Sequence, residues 1–586
     1  MTVDLRRDPP STEPGHKIRV PLTRRRVILA TFWIGLLLLV PLAMIRSDVV
    51  PATLIEGLGD LGNLLARMWP PAWYEPARLL GLLWETFLIA VAGTFIGVVL
   101  SVPLAFLAAR NTTPSRLMFG ASRAVITVTR AIPDLVFAII FVRFLGLGPL
   151  PGALALGIHS IGMLGKLFAD AIEESDPSPM EATYSLGATK LQAIATSVVP
   201  QVMPKFIGVS LYRLDINLRM SPVLGFVGAG GIGFELQGAL RQIRYDRGLT
   251  IIIMILVLIV VVERLSSALR RSILGSESEE ARAAGFLRRR FGRSAGGRGA
   301  LPSSSSTGEP VPLIAPVETP PPISEPEERI RIPWTRRRVG QFGAGLGLAA
   351  LVVASFAMLD IDPADAWRRL PALASMLSGM WPPDFTEPGL WLSATFESLM
   401  IAIAGTFLGV IITLPFAFFG ARNVTGSRVL YNTARYGVVL VRGVPELIMA
   451  VMFVAAVGLG PFAGAMALAI GTIGLSGKLL MDSIEEIDPS PLEAMSSTGA
   501  TRLQVASVAI TPQVTPSMVG TVLYQLDINI RASVILGIVG AGGVGFILLN
   551  SVRALHYDRT LAMLIVIFIV VYAIERLAAW IRSYFI

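Results

Sequence analysis

Charged side chains interrupt several long apolar segments of this sequence, and those at matching positions in its two halves are best placed for chemistry. A charge within a membrane-spanning segment costs roughly 2.5 to 3.5 kcal/mol on insertion scales, so it faces a partner, the bundle interior or a watery path. A guanidinium can hold a divalent oxyanion through two parallel hydrogen bonds. The candidates for such a pathway are Arg219 and Arg531, Arg130 and Arg442, and Asp215 and Asp527.

Each of these residues also has a structural interpretation. Asp215 and Arg219 lie one helical turn apart, so they can neutralise each other on one helix face. Arg130 lies near Pro133 and can support a helix kink there. In the alternative, Arg219 and Arg531 place positive potential near the outer mouth of a pathway, with Arg130 deeper in the bundle. Both interpretations stay open at the sequence level.

Other chemistries lack the residues that they need. Cysteine is absent, which excludes disulfides, thiolate metal sites and cysteine nucleophiles. The phosphate-cradling pattern Gly-x-x-x-x-Gly-Lys-Ser/Thr is missing, because Gly165-Lys-Leu167 lacks both the first glycine and the hydroxyl. Nothing in the sequence clusters as a metal site or a catalytic triad. We therefore expect no enzyme activity, metal or cofactor in this chain.

The composition places the chain in a lipid bilayer. It has 586 residues, 53 % of them hydrophobic, and a formal charge of +9. Its apolar runs reach the length of about 20 residues that crosses a membrane. Arginine clusters flank these runs at positions 24–26, 270–271, 288–290 and 336–338. Since Lys and Arg are retained on the cytoplasmic side, we expect cytoplasmic termini in the inner membrane, with no nucleic-acid partner.

A constant shift of 312 residues aligns the two halves, so that Trp69-Pro-Pro71 returns as Trp381-Pro-Pro383. Not every charge is repeated. Arg213 corresponds to Gln525, and symmetry gives it no weight as a candidate. Between the copies lies a Ser-, Pro- and charge-rich stretch that cannot bury a core. The predicted organisation is a disordered cytoplasmic N-terminus 1–22, a transmembrane domain 23–271, a disordered cytoplasmic linker 272–330 and a second transmembrane domain 331–586.

The apolar runs predict about six transmembrane helices in each copy. In the first copy they lie near 27–45, 79–109, 118–145, 151–172, 191–221 and 248–271. Both copies begin with a cytoplasmic arginine cluster, which requires an even number of helices and makes the repeats parallel. The predicted fold class is an all-α polytopic membrane protein built from two tandem parallel repeats. Residues 46–78 are expected to form a short amphipathic segment outside the membrane.

A polar loop follows the fourth predicted helix of each copy. In the first copy it reads Asp176-Pro-Ser-Pro-Met-Glu-Ala182, followed by Gly187 and Pro200. Ser178 can cap a helix there, and Glu181 three residues later can close a capping box. The pattern therefore predicts a short cytoplasmic helix, and the second copy repeats it.

The Glu-Ala, Gly and Pro spacing of this loop resembles the EAA loop of ABC importer permeases. The resemblance implies the type I importer permease fold and a coupling helix that docks into a groove on an ATPase. It also implies two ATPase subunits, which hold ATP and Mg²⁺, and an external solute-binding protein. The residues to which it gives the coupling role are Glu181, Ala182, Gly187, Glu493, Ala494 and Gly499.

Two glycine-rich strings satisfy the dinucleotide-binding pattern Gly-x-Gly-x-x-Gly, but a membrane helix rather than a strand precedes each of them. Small residues instead let backbone segments approach closely inside a membrane. The strings resemble the segment before the last helix of phosphonate-type permeases, a resemblance that covers 80–271 and 392–583. It implies a position toward the outer side of the pathway for Gly228, Gly230, Gly231, Gly233, Gly540, Gly542, Gly543 and Gly545.

These features favour the permease subunit of an ABC importer for phosphonate or a related phosphorus oxyanion, such as phosphite or phosphate. An importer of another small solute such as methionine is an alternative, because methionine-type permeases have a similar glycine segment. An ion-coupled secondary transporter also uses parallel repeats, but it predicts coupling carboxylates at mid-membrane and no docking loop. A membrane enzyme acting on a lipid phosphate would need a nucleophile or metal cluster, which the sequence lacks.

Overall fold

The computed structural model describes residues 24–274, 336–359 and 363–585. All regular structure in these ranges is helical, so the predicted all-α fold is confirmed. The predicted disordered N-terminus at 1–22 lies outside the described residues. The same holds for the predicted linker, apart from residues 272–274, which end the last helix of the first copy.

The described part of the first copy forms eleven α-helices and one π-helical turn. They are α1 (Arg24–Arg46), α2 (Pro51–Met68), α3 (Pro76–Ala108), α4 (Arg116–Ala131), α5 (Asp134–Leu145), α6 (Pro149–Glu173), α7 (Ser178–Ser185), α8 (Lys190–Ala193), the π turn Ile194–Val198, α9 (Val199–Gly225), α10 (Ile232–Arg241) and α11 (Tyr245–Leu274).

The second copy repeats this order, with the α2 region divided into two shorter helices. Its elements are α12 (Arg336–Met358), α13 (Pro363–Arg368), α14 (Leu370–Gly379), α15 (Pro388–Phe419), α16 (Arg428–Gly443), α17 (Glu446–Val457), α18 (Pro461–Glu485), α19 (Ser490–Ser497), α20 (Arg502–Val505), the π turn Ala506–Ile510, α21 (Thr511–Ile538), α22 (Val544–Arg553) and α23 (Tyr557–Phe585).

Within the described residues, seven helical segments are long and apolar enough to cross a membrane, and three bent helix pairs bring the number to ten. The third predicted span of each copy is one of these pairs. α4 and α5 meet at 91°, and α16 and α17 meet at 85°. Pro133 lies at the first break and lacks a backbone N–H, so the helix cannot continue through it with full hydrogen bonding.

Each copy's first helix packs against the other copy. Contacts divide the chain into one unit of residues 1–67 and 377–586 and a second unit of residues 68–376. In the first unit α1 packs on α15, and in the second α12 packs on α3 and α11. The domain limits predicted above follow the sequence repeat, whereas the packed units follow these exchanged first helices.

Close packing of α3 on α6 holds the second unit together, and it depends on glycine. A Cβ built at Gly93 would lie 2.7 Å from the Cβ of Leu156, and one at Gly97 would lie 2.5 Å from that of Ser160. α15 and α18 repeat this arrangement in the first unit. Small residues are the usual means by which membrane helices approach so closely.

Candidate functional site

The predicted coupling helices are α7 and α19, and an aspartate organises the start of each. Asp176 Oδ1 accepts hydrogen bonds from the backbone N–H of Ser178 at 3.0 Å and from its hydroxyl at 2.8 Å. These bonds, first the backbone one, lower the pKa of Asp176 from its ordinary value. The predicted cap by Ser178 and capping box with Glu181 are therefore wrong, because the more strongly accepting carboxylate two residues earlier takes that role.

Glycine ends α7 through a left-handed backbone conformation. Gly187 has φ of 79°, its N–H donates to the carbonyl of Tyr184 at 2.9 Å, and the N–H of Ala188 donates to that of Thr183 at 3.3 Å. This is the Schellman pattern, in which glycine avoids the Cβ penalty. Gly499 has φ of 78° at the end of α19. The repeated motif therefore has glycine at this position because the backbone there adopts a left-handed conformation.

A capping box does occur, but it starts the next helix. The backbone N–H of Thr189 donates to Gln192 Oε1 at 2.9 Å, and Thr189 accepts in turn from the backbone of Gln192. The π turn follows directly, just before Pro200, whose missing N–H removes a helical hydrogen bond there. π turns inside helices frequently mark functional sites.

Most coupling residues are exposed. Glu181 and Ala182 of α7 and Glu493 and Ala494 of α19 face outward. Met180, in contrast, packs on the apolar cluster around Phe168. α7 therefore has one anchored face and one available face. Two strongly exposed apolar side chains follow α7 in the sequence, Leu186 (88 % exposed) and Leu191 (79 % exposed).

The glycine segments fold back onto the start of the second span in their own copy. The N–H of Gly231 donates to Glu85 Oε1 at 3.1 Å, and that of Ile232 donates to Thr86 Oγ1 at 2.8 Å. A Cβ at Gly233 would lie 1.7 Å from the carbonyl oxygen of Pro222. No side chain fits there. The second copy repeats the fold, with Val544 N–H donating to Ser398 Oγ at 2.9 Å.

Positive φ angles and close backbone approach explain the remaining glycines. The backbone angle φ lies between 74° and 94° at six of these glycines, namely Gly228, Gly230, Gly231, Gly540, Gly542 and Gly543. A Cβ at Gly545 would lie 1.8 Å from the carbonyl oxygen of Val534.

α9 has 27 residues and is thus about 40 Å long. Its glycine segment therefore lies at the opposite end of the span from α7.

The charged pairs predicted on α9 and α21 differ between the copies. In the second copy Arg531 pairs with Asp527 one turn away, as the spacing predicts. In the first copy Arg219 pairs with Glu263 of α11 at 3.2 Å, and Asp215 pairs with Arg270 of α11 at 3.3 Å. The expected pair within α9 is replaced because α11 offers two partners.

Arg130 and Arg442 lie in the last turns of α4 and α16, just before the sharp bends. Glycines of the next span pack on their backbones. A Cβ at Gly162 would lie 2.6 Å from Arg130 N, and one at Gly474 would lie 2.7 Å from Arg442 Cα. Within the described residues, no group of three or more His, Asp or Glu side chains is arranged to hold a metal ion.

Residues 101–275 and 405–584 each match the family described as binding-protein-dependent transport system inner membrane component. The chain belongs to this family. It is thereby an ABC importer permease rather than an ion-coupled secondary transporter, and its family works with ATPase and binding-protein partners.

One relative of the permease matches both copies, and others match about one copy. It is 46 % identical to the phosphate-import permease PhnE of Mycolicibacterium smegmatis over 537 residues, which are 92 % of this chain and 91 % of the relative. The phosphite transport permease PtxC of Stutzerimonas stutzeri is 43 % identical over 42 % of this chain and 85 % of its own length. A chain of the MetNI methionine ABC transporter aligns with a TM-score of 0.32 and 25 % identity, covering 34 % of this chain and all of that one.

Two features of the permease had no weight at the sequence level. Gln201 ties the loop before α7 to α9, and Arg213 is buried within α9. The sequence does contain a signal for Gln201, because Gln513 repeats it in the second copy at the same spacing. Arg213 has none from symmetry, because its counterpart is Gln525. What sets it apart is burial, and only the structure shows that.

Proposed function

We propose that the permease imports a phosphorus oxyanion, phosphate, phosphite or a phosphonate. The observation that carries this proposal is the 46 % identity to a phosphate-import permease along 92 % of the chain, through both copies. A phosphite permease of another organism is similar to a single copy. The arginines within the spans give the substrate a physical counterpart, because guanidinium suits such anions.

Two ATPase subunits are proposed to dock on the permease, one at α7 and one at α19. Each helix has an exposed Glu-Ala pair and an end fixed by glycine. A helix fixed at both ends can pass the motion of a docked partner into the span that follows. ATP and Mg²⁺ would be held by those subunits. The glycine segments lie at the opposite ends of the spans, where an external solute-binding protein would deliver the anion, with both termini cytoplasmic.

The test is uptake by proteoliposomes that contain the permease with its ATPase and binding protein, and ATP inside. Labelled phosphate, phosphite and methylphosphonate are offered separately, and labelled methionine is the comparison substrate. We expect ATP-dependent uptake of at least one phosphorus oxyanion and none of methionine. Uptake of methionine alone would overturn the substrate proposal, since a methionine permease is also related, at 30 % identity over 33 % of this chain.

The docking proposal has its own test. Changing Glu181 and Glu493 together to alanine should remove the ATPase from the purified permease, whereas Glu56→Ala, an exposed carboxylate of α2, should not. Persistent association of the ATPase with the double variant, together with intact uptake, would show that α7 and α19 are not the docking helices.

A further inference from the structure

Arg213 is a buried cation in the membrane-spanning part of α9. The residue is only 3 % exposed, and it lies within a segment apolar enough to cross the membrane. Burial of a charge there is costly unless the charge is paired. The contacts of its guanidinium therefore decide what this residue does.

Those contacts leave the guanidinium incompletely satisfied. Its Nε donates to Ser160 Oγ at 2.8 Å, and its Nη1 approaches the sulfur of Met163 at 3.7 Å. Its Nη2 has no hydrogen-bond partner among the described residues. A guanidinium has five N–H donors, so one hydroxyl and one weak thioether acceptor leave most of them available.

Among the described residues, no carboxylate neutralises Arg213 by direct contact. Asp134, at the start of α5, is near enough to act on it electrostatically, but no ion pair within 4.0 Å joins Arg213 to a carboxylate of the described residues. Asp134 Oδ1 accepts instead from the backbone N–H of Leu135 at 2.8 Å. Arg219 differs, because it contacts Glu263 at 3.2 Å.

Further polar side chains are linked to this cation through Ser160. Asn217, one turn further along α9, donates to Thr94 Oγ1 at 2.9 Å and to Ser160 Oγ at 3.2 Å. Its own Oδ1 has no partner among the described residues. The cluster of Thr94, Ser160, Arg213 and Asn217 thus brings a cation, two hydroxyls and an amide together between α3, α6 and α9.

The second copy builds the equivalent cluster without a charge. Gln525 Nε2 donates to Asn529 Oδ1 at 2.9 Å, and Asn529 donates to Thr406 at 2.8 Å and to Thr472 at 2.9 Å. Ser476 donates to Gln525 Oε1 at 3.3 Å. A neutral glutamine therefore holds the same three spans together, so helix packing does not require an arginine at this position.

We propose that Arg213, with Ser160 and Asn217 beside it, forms a binding position for the phosphorus oxyanion in transit, present in the first copy only. This inference rests on the proposed function, because it takes the anion from there. The free donors of the guanidinium match the oxygens of such an anion. Ser160, which accepts from Arg213 Nε and from the amide of Asn217, holds the guanidinium in place. The fused chain allows this asymmetry, since each copy can change independently.

The test uses the residue of the second copy as the replacement. Arg213→Gln is assayed in proteoliposomes with the ATPase and binding protein, for anion uptake and for ATP hydrolysis stimulated by the liganded binding protein. Loss of charged hydrogen bonds should lower the maximal uptake rate about tenfold or more. Stimulated ATP hydrolysis should stay within about twofold, because the cluster stays packed. Arg264→Gln, an exposed arginine of α11, is the control and should change neither.

A double variant separates anion binding from structure. Arg213→Gln with Gln525→Arg moves the guanidinium to the equivalent cluster and should regain part of the lost uptake. Arg213→Lys keeps the charge and should lie between the wild type and Arg213→Gln. If Arg213→Gln transports within about twofold of the wild type, the inference is overturned. It is also overturned if uptake, ATP hydrolysis and protein abundance fall together and neither other variant regains uptake. A wild type that carries no phosphorus oxyanion would instead refute the proposed function.

Discussion

The side chain of Gln201 forms two hydrogen bonds with the backbone of Asp176, accepting from its N–H at 3.0 Å and donating to its carbonyl at 3.3 Å. Gln513 repeats both bonds with Asp488, at 3.1 and 3.4 Å. Because α7 begins directly after this aspartate and Gln201 lies in the first turn of α9, one side chain joins the exposed helix to the membrane span.

This link predicts that Gln201→Ala combined with Gln513→Ala uncouples the permease. Each neutral hydrogen bond contributes about 1 kcal/mol, so two lost bonds per loop, about 2 kcal/mol, should reduce uptake per hydrolysed ATP about thirtyfold. Binding of the ATPase should persist, because Glu181 and Glu493 are untouched. The measurement is uptake per hydrolysed ATP in proteoliposomes, with the exposed Gln242→Ala as control. An unchanged ratio would show that these glutamines do not transmit the motion.

Gly187→Ala should loosen the end of α7. A side chain at φ of 79° costs roughly 1 to 2 kcal/mol, so amides of α7 should exchange with solvent faster. Gly120→Ala is the matched control, since this glycine lies within α4 with no atom within 4 Å of a built Cβ. Alanine there should stabilise the helix by about 0.5 to 1 kcal/mol. Equal exchange in both variants would argue against a conformational role for Gly187.

Much of the fold was predictable because the sequence repeats its own periodicity. The shift between copies located the spans and both loops, and Pro133 marked the bend between α4 and α5. The exchange of α1 and α12 was not predictable, since the sequence of an apolar helix does not specify which of two similar surfaces it packs against. That choice depends on packing, and the pattern of apolar residues is the same for either.

The site was predictable only where its contacts are local. The pair of Asp527 and Arg531 follows from helical spacing. In the first copy the same spacing is present, yet Arg219 contacts Glu263, 44 residues away. A tertiary partner displaced the local one. The predicted cap by Ser178 was wrong for a different reason. Ser178 and Asp176 both have oxygens that can accept, and the charged carboxylate of Asp176 accepts the hydrogen bond.

Thr86→Val should destabilise the glycine segment of the first copy. Thr86 is buried, and its Oγ1 accepts from the N–H of Ile232 at 2.8 Å while donating to Leu82. Valine has nearly the same volume but leaves that N–H unsatisfied, at a cost of about 1 to 3 kcal/mol. The measurement is the unfolding temperature in detergent.

Thr86→Ser is its control, since serine is the residue that the second copy uses at position 398. It keeps the hydroxyl and should unfold closer to the wild-type temperature than the valine variant does. Equal unfolding temperatures for the two variants would mean that the hydrogen bond is not what holds the segment.

Tyr74 should ionise only at strongly alkaline pH. Burial, and then the nearby carboxylate of Glu235, which accepts from its hydroxyl at 3.2 Å, raise the pKa of Tyr74 to about 12. The pKa in the unfolded chain is about 10. A raised pKa makes the contribution to stability complete below pH about 10 and removes it as the pH rises through about 12. The difference in tyrosinate absorbance between the wild type and Tyr74→Phe measures this ionisation. A midpoint near 10 would contradict the contact with Glu235.

Gly57→Leu tests the packing of the first copy's N-terminal helices on the second copy. Gly57 of α2 is buried, and a Cβ there would lie 2.6 Å from the ring of Phe462 at the start of α18. A leucine must displace this ring or one of the two helices, at a cost of about 1 to 3 kcal/mol, and amide exchange in α18 should accelerate. Leucine at Gly59 or Gly62, where a built Cβ meets no atom within 4 Å, should leave α18 unchanged. If all three variants behave alike, α2 does not pack on α18, and the exchange of N-terminal helices between the copies loses this support.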